Sequence, residues 1–240
     1  MESLDTWGIS DCGLVRQNNE DAWLIDPALG VAIVADGMGG ASCGEVAASL
    51  AVETVVEFLR NPPLAAAPEE LLMEAVREAN RRVFLHAQTQ EGCQGMGSTI
   101  VAALWRLPHL YIANVGDSRA YLFRDRQLTQ LSYDQTLVNE LRVRFGLTAE
   151  EVSNFPHKNV LTMAVGTAPE ITVRMHVESL LPGDQILLCS DGLSGPVPEE
   201  EIAAILASAE ALSVKAERLV EAAKSHGAPD NVTAVLLRYE

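Results

Sequence analysis

Apolar residues recur at helical spacing in four segments of the chain, two in each half. Residues three and four positions apart share one face of a helix, so each segment predicts an amphipathic helix with one buried face. Pro68 is suited to start the second helix, and Gly227 to end the last one. The predicted helices are 45–58, 69–92, 198–206 and 219–227.

Short apolar runs predict strands in the rest of the chain. The predicted strands are 22–25, 31–35, 98–105, 110–115, 120–123, 127–131, 171–177, 185–189 and 231–237. Segments 106–109 and 124–126 are short enough to be hairpin turns, which favours antiparallel pairing. Strands that are apolar at nearly every position must be covered on both faces. The sequence therefore predicts an α+β fold, a four-layer α-β-β-α sandwich with two antiparallel sheets flanked by helix pairs.

Length and composition set wider limits. The 240 residues are 48% hydrophobic, which is enough for a large core, and no stretch is typical of an interdomain linker. We therefore expect a single domain, residues 1–240. The sequence opens without a basic and apolar leader, and no apolar run has the length of a membrane span, so we expect a soluble, cytoplasmic protein.

Acidic residues outnumber basic ones by 33 to 17, which makes the net charge −16. Binding to nucleic-acid phosphates or to anionic lipid relies on lysine and arginine. The charge therefore argues against nucleic acid and membranes as partners, and we expect a monomer.

The four cysteines give no sign of a metal site or a redox motif. Their positions form neither a C-x-x-C pair nor a zinc-binding spacing. Two of them lie beside apolar runs, and we expect these to be buried thiols. Cys12 and Cys43 have no adjacent histidine, so we expect them to be structural. The four cysteines are Cys12, Cys43, Cys93 and Cys189.

Four aspartates stand at the ends of apolar strands. They are Asp21, Asp36, Asp191 and Asp230. If the strand ends meet, these carboxylates repel one another, and divalent cations would relieve the repulsion. Oxygen ligands without histidine or cysteine suit Mg²⁺ or Mn²⁺, and the bare carbonyl of Gly37 could add another ligand. The alternative is that the two Asp-Gly pairs form ordinary turns.

Two further residues have a functional and a structural interpretation. Arg16 precedes Asp21, and an arginine beside two cations suggests that an anion such as a phosphate binds between them. It could equally be a surface arginine paired with Glu20. Asp117 lies in a tight turn between two strands, where it needs no function, but it could face Asp191 as a weak metal ligand.

The ordered set of motifs resembles the bacterial type 2C metal-dependent serine/threonine protein phosphatases. The matching segments are 16–21 (RQNNED), 34–40 (VADGMGG), 97–99 (GST), 112–121 (IANVGDSRAY), 190–193 (SDGL) and 229–233 (PDNVT). The resemblance spans nearly the whole chain. It implies two central antiparallel sheets with outer helix pairs, and hydrolysis of phosphoserine and phosphothreonine on proteins by a water activated between two metal ions.

The resemblance also implies a role for each residue at the centre of the site. Asp36 would bridge both ions, and the Gly37 carbonyl would complete one ion site. Asp191 and Asp230 would bind the other ion. Arg16 would bind the phosphate of the substrate.

Further implied roles lie at the edge of the site. Glu20 and Asp21 would bind the ions through water. Asp117, together with Asp191, would bind a third, weaker cation. The implied partners are phosphorylated proteins and a cognate serine/threonine kinase. Segment 142–164 would be a mobile flap that shapes substrate access, although it could also be an ordinary surface loop.

The sequence departs from the family pattern at several positions. Ala41 and Met38 stand where relatives carry a histidine that could protonate the leaving group. Segment 134–136 is Asp-Gln-Thr in place of the usual Asp-His-Ser. Met163 replaces a common arginine. These changes leave the metal ligands intact and bear on rate and substrate choice.

Two rival functions follow from the same residues. A non-catalytic binding module would explain the departures at 41–42, but it would gain little from unpaired carboxylates. Turnover of an aryl phosphate with Mn²⁺ separates it from the enzyme. A haloacid-type hydrolase would need an Asp-x-Asp after its first strand, whereas Asp36 is followed by Gly37 and Met38.

Overall fold

A computed structural model describes residues 3–39, 43–62, 66–148 and 160–240, and within these ranges the chain forms antiparallel strands and helices. The strands are β1 (Leu4–Asp11), β2 (Asp21–Asp26), β3 (Val31–Met38), β4 (Gly97–Ser98), β5 (Ile100–Arg106), β6 (His109–Val115), β7 (Arg119–Arg124), β8 (Gln127–Gln130), β9 (Arg174–Ser179), β10 (Gln185–Cys189) and β11 (Val232–Tyr239). The helices are α1 (Cys43–Arg60), α2 (Pro68–Thr89), α3 (Leu137–Phe145), α4 (Asp191–Ser194), α5 (Glu199–Leu206) and α6 (Leu212–Ser225).

The strands form two sheets, and helices cover the outer face of each one. One sheet has the order β1-β11-β10-β7-β8, with α5 and α6 against it. The other has the order β2-β3-β5-β6-β9, with β4 paired to the end of β3 and with α1 and α2 outside. This arrangement confirms the predicted α+β fold with two antiparallel sheets and flanking helices. In the described ranges, no helix combines the length and the apolar character that crossing a bilayer requires.

Burial on both faces explains why the central strands are apolar at nearly every position. In β3, Ala32 and Val34 point into the layer between the sheets, whereas Val31, Ile33 and Ala35 pack against α1 and α2. All five are fully buried. Complete burial of a valine or isoleucine side chain stabilises the fold by roughly 1.5–3 kcal/mol.

The first strand is missing from the sequence prediction. β1 pairs with β11 along its whole length, from Leu4 opposite Tyr239 to Asp11 opposite Val232. It lies at the edge of its sheet and contains Gly8, whose missing side chain leaves room for the ring of Trp23. A half-exposed edge strand with a central glycine has little of the apolar pattern that identifies a buried strand.

Two other elements differ from the sequence prediction. Helix α3 is not among the predicted helices. Thr136 caps its start, since the Thr136 hydroxyl accepts a hydrogen bond from Asn139 N at 3.3 Å, and the helix ends at Gly146, which is left-handed with φ 68°. Strand β9 begins at Arg174, three residues later than expected. The sequence also has a short helical pattern at 148–151, and this segment lies, apart from Thr148, outside the described residues.

Two of the cysteines form a bond that the sequence did not predict. Cys43 and Cys93 form a disulfide with their Cα atoms 5.5 Å apart, although 50 residues separate them in sequence. The antiparallel packing of α1 against α2 brings the start of the first helix close to the turn after the second. Cys12 and Cys189 are free thiols, and Cys189 is fully buried.

Candidate active site

A cavity of about 670 Å³ opens where strand ends of both sheets meet. Acidic side chains reach it from separate elements, and one arginine, Arg16, lies on its rim. The acidic residues lining the cavity are Glu20 before β2, Asp36 on β3, Asp117 between β6 and β7, Asp191 at the start of α4, and Asp230 just before β11. The structure thus brings together carboxylates that the sequence predicts as ligands.

The Asp36 backbone is fixed where the ladder between β3 and β5 ends. Thr99 N donates to Asp36 O at 2.8 Å, and Asp36 N donates to Thr99 Oγ1 at 3.0 Å. The same Thr99 hydroxyl lies 2.6 Å from Ser118 Oγ, in the turn that carries Asp117. Through Thr99, the positions of Asp36 and Asp117 are coupled.

Gly37 follows Asp36 and has no space for a side chain. Its N–H donates to Glu20 O at 3.1 Å. A Cβ at this position would collide with the carbonyl of Gly44 on α1 and would lie 2.7 Å from Glu20 O. Glycine is therefore required here by close backbone approach, and it brings the start of α1 against the carboxylate cluster.

Asp21 sits opposite Asp36 in the pairing of β2 with β3. Its Oδ2 accepts hydrogen bonds from Ser190 Oγ at 2.8 Å and from Thr233 Oγ1 at 2.6 Å. Its Oδ1 is buried without a hydrogen-bond partner among the described residues. Burial raises the pKa of Asp21 from 3.8 to about 6, and the hydroxyl donors oppose this shift.

The other buried carboxyl groups are also hard to ionise. Burial raises the pKa of Asp36 well above its ordinary value, and the charges of neighbouring aspartates add to the effect. Burial and the charge of Asp191 raise the pKa of Asp117 to about 7. Burial raises the pKa of Asp191, which shares a hydrogen bond with Asp36. A cluster of this kind takes up protons or cations near neutral pH.

Arg16 is paired with Asp230. Its Nη2 lies 2.7 Å from Asp230 Oδ2, and about half of the arginine side chain (52%) is exposed. The hydrogen bond to Asp230 raises the pKa of Arg16. The alternative interpretation, in which Arg16 pairs with Glu20, is therefore wrong, because the partner of Arg16 is Asp230.

Asn231 holds the loop that carries Arg16, a function that the sequence analysis missed. Its Oδ1 accepts from Glu20 N at 2.8 Å, and its Nδ2 donates to Cys12 O at 3.0 Å and to Asn18 O at 2.8 Å. Asn231 follows Asp230 directly. The short segment before β11 therefore supplies the Asp230 carboxylate and also holds the loop between β1 and β2. Its place in the motif 229–233 is the signal that could have identified it.

One wall of the cavity is formed by segment 161–164 together with Thr167. This wall is anchored on α2, where Asn80 is 1% exposed. Asn80 Oδ1 accepts from Gly166 N at 2.7 Å, and its Nδ2 donates to Ala168 O at 3.0 Å. Val165 also pairs with Ser98 through two backbone hydrogen bonds, at 2.8 and 2.9 Å. Nothing in the apolar pattern of α2 indicates this function of Asn80.

Segment 134–136 supports the turn that carries Asp117. Asp134 accepts a bidentate hydrogen bond from Arg119, with Nη2 to Oδ2 at 2.6 Å. Gln135, which replaces the usual histidine, accepts from Gly116 N at 2.9 Å and donates to Thr172 O at 2.8 Å. The amide of Gln135 thus connects the Asp117 turn with the segment before β9.

Parts of the expected site fall outside the described residues. These parts are Ala41 and Ser42, where the sequence departs from the family pattern, and residues 149–159 of the expected flap. Met163, at the position of the common arginine, lies in the described cavity wall. No histidine is among the residues that line the cavity in the described ranges.

The donor set fits hard divalent cations. It consists of oxygen atoms, it contains the unpaired buried oxygen of Asp21, and its carboxyl groups repel one another. In the described ranges, however, no three acidic, histidine or cysteine side chains stand in coordinating geometry. Asp230 is turned toward Arg16, with which it forms an ion pair. Ion binding therefore requires local rotation of these side chains.

Known proteins resemble this chain along most of its length. The family model described as protein phosphatase 2C matches residues 14–236. The serine/threonine phosphatase stp of Listeria monocytogenes is 37% identical over 234 residues, which cover 95% of this chain and 93% of that protein.

Solved structures agree with the family match. The serine/threonine phosphatase PstP/Ppp of Mycobacterium tuberculosis superposes with a TM-score of 0.90 at 36% identity, covering 98% of both chains. The catalytic domain of PstP in complex with two manganese ions gives a TM-score of 0.89 at 35% identity, covering 100% of this chain and 99% of that one. The chain belongs to the protein phosphatase 2C family and is a metal-dependent serine/threonine protein phosphatase.

Proposed function

We propose that the cavity around Asp36 binds the phosphorylated side chain of a protein substrate and that water attacks its phosphorus in line with the leaving serine or threonine oxygen. The observation that carries this proposal is one half-exposed arginine, Arg16, at a cavity whose other charged side chains, among the described residues, are all carboxylates. An anion such as a phosphate is stable there only if cations offset the acidic charge.

Asp36, Asp191 and Asp230 are the main cation ligands in this proposal. Asp36 would contribute to both ion sites and the Gly37 carbonyl to one, while Asp191 and Asp230 would hold the other ion. The charge of Asp230 adds to the repulsion on both Asp36 and Asp191, which supports the assignment. When bound, a pair of divalent cations lowers the pKa of water toward neutrality and offsets charge on the phosphoryl oxygens.

Glu20 and Asp21 hold water at the edge of the ion sites. For Asp21 the support is the buried, unpaired Oδ1, which faces away from the hydroxyl donors on Oδ2. Glu20 lines the cavity, and its carboxyl group packs against Gly44, where a Cβ would lie within 2.9 Å of it.

Asp117 and Asp191 hold a third, weaker cation. Both line the cavity, and the charge of Asp191 is a main contributor to the raised pKa of Asp117. This proximity means that a cation between them would lower the repulsion. Either Mg²⁺ or Mn²⁺ suits these oxygen ligands.

Arg16 binds the substrate phosphate through its guanidinium group. To do so it exchanges its single contact with Asp230 for phosphoryl oxygens, which a guanidinium group can bind through two parallel hydrogen bonds. The exchange also frees Asp230 for ion binding. Phosphate binding and completion of the ion site thus favour each other.

The flap proposed for segment 142–164 shapes access for the peptide. Its described end, 161–164, already forms one wall of the cavity. Replacing the segment is expected to change the preference among phosphopeptides more than turnover of a small aryl phosphate. Equal effects on both substrates would contradict this assignment.

The physiological setting extends the same proposal. The chain acts as a monomer in the cytoplasm, opposite a serine/threonine kinase that phosphorylates the same proteins. The net charge of −16 supports protein substrates over nucleic acid or anionic lipid.

One experiment tests the proposal directly. The chain is treated with a chelator, and hydrolysis of a phosphothreonine peptide is measured before and after Mn²⁺ is restored. We expect activity to disappear with the chelator and to return with Mn²⁺. Peptide binding without turnover in Mn²⁺ would instead indicate a non-catalytic binding module.

A further inference from the structure

The disulfide between Cys43 and Cys93 lies beside the active site, and the mechanism does not use it. Cys43 is the first residue of α1 and is 7% exposed, while Cys93 is partly exposed in the turn between α2 and β4. The bond therefore closes the base of the hairpin formed by α1 and α2.

Both cysteines are next to segments that carry the cation ligands. Gly44, the neighbour of Cys43, lies so close to Gly37 that a Cβ on Gly37 would collide with the Gly44 carbonyl, and a Cβ on Gly44 would meet the carboxyl group of Glu20. On the other side, Met96 N donates to Cys93 O at 3.1 Å, and the next residue, Gly97, pairs with Met38 at the end of β3. A bond between the two cysteines thus anchors both flanks of the Asp36–Gly37 segment.

We propose that Cys43 and Cys93 are a site of reversible oxidation by hydroperoxides and that the disulfide tightens divalent-ion binding at the Asp36 cluster. The link to ion binding rests on the proposed function, whereas the oxidation site does not. Thiol reductants keep cysteine pairs in the dithiol form in the compartments that contain them. In such a compartment, a pair close enough to bond can change between the dithiol and the disulfide form.

The chemistry needs only hydrogen peroxide as oxidant. The thiolate of Cys93, the more exposed residue, attacks one peroxide oxygen, which gives a sulfenic acid and releases the other oxygen as water. The thiolate of Cys43 then attacks the Cys93 sulfur, forms the S–S bond and displaces the second oxygen as water. Peroxide accepts two electrons from the two thiols, and a dithiol reductant returns the pair to its reduced state.

The first measurement uses the variant Cys12→Ser/Cys189→Ala, which leaves Cys43 and Cys93 as the two remaining thiols. After reduction, peroxide is added and the protein is alkylated and weighed as an intact chain. We expect the loss of two hydrogen atoms, protection of both cysteines from alkylation, and reversal by dithiothreitol. Two alkylated cysteines after peroxide, or a bond that dithiothreitol leaves intact, would overturn the reversible site.

The second measurement compares the reduced and oxidised forms of the same protein without relying on activity. We expect the disulfide to raise the melting temperature of the metal-free protein by about 10 °C, since it closes a loop of about 50 residues in the unfolded chain. We also expect calorimetry to give a Mn²⁺ Kd about 3- to 10-fold lower in the oxidised form.

Matched variants separate the possible failures. Cys93 lies in a turn, so the variant Cys93→Ser is expected to fold. It should bind Mn²⁺ as the reduced form does, and peroxide should leave its Mn²⁺ affinity and melting temperature unchanged. Equal Mn²⁺ affinity in both redox forms would overturn the coupling. If neither form of the protein binds Mn²⁺, the proposed ion site itself has failed, while the mass measurement still decides on the oxidation site.

Discussion

Arg16 donates from Nη2 to Asp230 Oδ2 over 2.7 Å, so the guanidinium proposed to bind phosphate is held by a carboxylate proposed to bind a cation. The two residues are 214 positions apart and meet because β11 begins beside the loop that leads into β2. Phosphate binding to Arg16 and cation binding to Asp230 both break this one ion pair, so each of the two binding events favours the other. Replacing Arg16 alone therefore measures what its guanidinium group contributes to phosphate binding.

Arg16→Ala is expected to raise the KM for an aryl phosphate by about 10- to 100-fold with a smaller change in kcat, because a charged, bidentate anion contact is lost. Steady-state kinetics with saturating Mn²⁺ measure this split. Arg60→Ala is the matched control, since Arg60 makes a similar 2.8 Å pair with Asp26 on the surface and has similar exposure. A fall in kcat with KM unchanged would contradict the phosphate-binding role.

Asp36→Asn is expected to abolish Mn²⁺-dependent turnover and to stabilise the metal-free protein, because it removes a buried charge that four neighbouring aspartates repel. At roughly 2–4 °C per kcal/mol for a chain of this size, the melting temperature should rise by several degrees. Thermal unfolding in a chelator measures the effect. Asp125→Asn, in the turn between β7 and β8, should change neither property, and full activity of Asp36→Asn would refute the cation scheme.

The metal-free protein is expected to lose stability as the pH rises from about 4 to about 7. The pKa is raised to about 6 for Asp21 and to about 7 for Asp117. The folded state therefore binds protons more tightly than the unfolded chain, and each unit of raised pKa is equivalent to about 1.4 kcal/mol. Denaturant unfolding at several pH values with a chelator measures this slope.

Mn²⁺ should reduce the pH dependence of stability, because it replaces protons in the cluster. Asp117→Asn should remove the part of this dependence that lies closest to pH 7. Groups with lowered pKa, such as Asp11 and Asp26, change stability below about pH 4 and leave this window clear. Stability that rises between pH 4 and 7 in the chelator would be incompatible with the buried cluster.

Asn80→Ala is expected to destabilise the protein by roughly 2–4 kcal/mol, because Gly166 N and Ala168 O lose their buried partner. The loosened wall should also raise the KM for a phosphopeptide several-fold more than that for an aryl phosphate. Asn80→Asp keeps the acceptor for Gly166 N but places a carboxyl oxygen against Ala168 O, so it should not restore the stability.

A matched control for Asn80 lies on the neighbouring helix. Thr54 on α1 is equally buried, and its hydroxyl has no partner in the described part of the chain. Thr54→Val should leave both KM values unchanged and should not reduce stability. Parallel increases in the two KM values of Asn80→Ala would show that Asn80 stabilises the fold without positioning the wall.

The fold could be predicted where burial dictates the pattern. Strand β3 is apolar on both faces because each face meets a separate core layer, and helix α2 starts at the proline that the sequence indicates. Strand β1 could not be predicted, because hydrogen bonds to β11 hold it in place although it buries little apolar surface. Local patterns report burial, and they are silent about pairing between distant strands.

The sequence by itself determined the chemistry that is available: oxygen ligands at strand ends, one arginine before them, and motifs in the order of the family. Only the tertiary structure decided which groups meet. It pairs Arg16 with Asp230 rather than Glu20, joins Cys43 to Cys93, and anchors the cavity wall on Asn80. Each of these contacts spans many residues, so its existence depends on how layers and strand ends pack, which no local run of residues encodes.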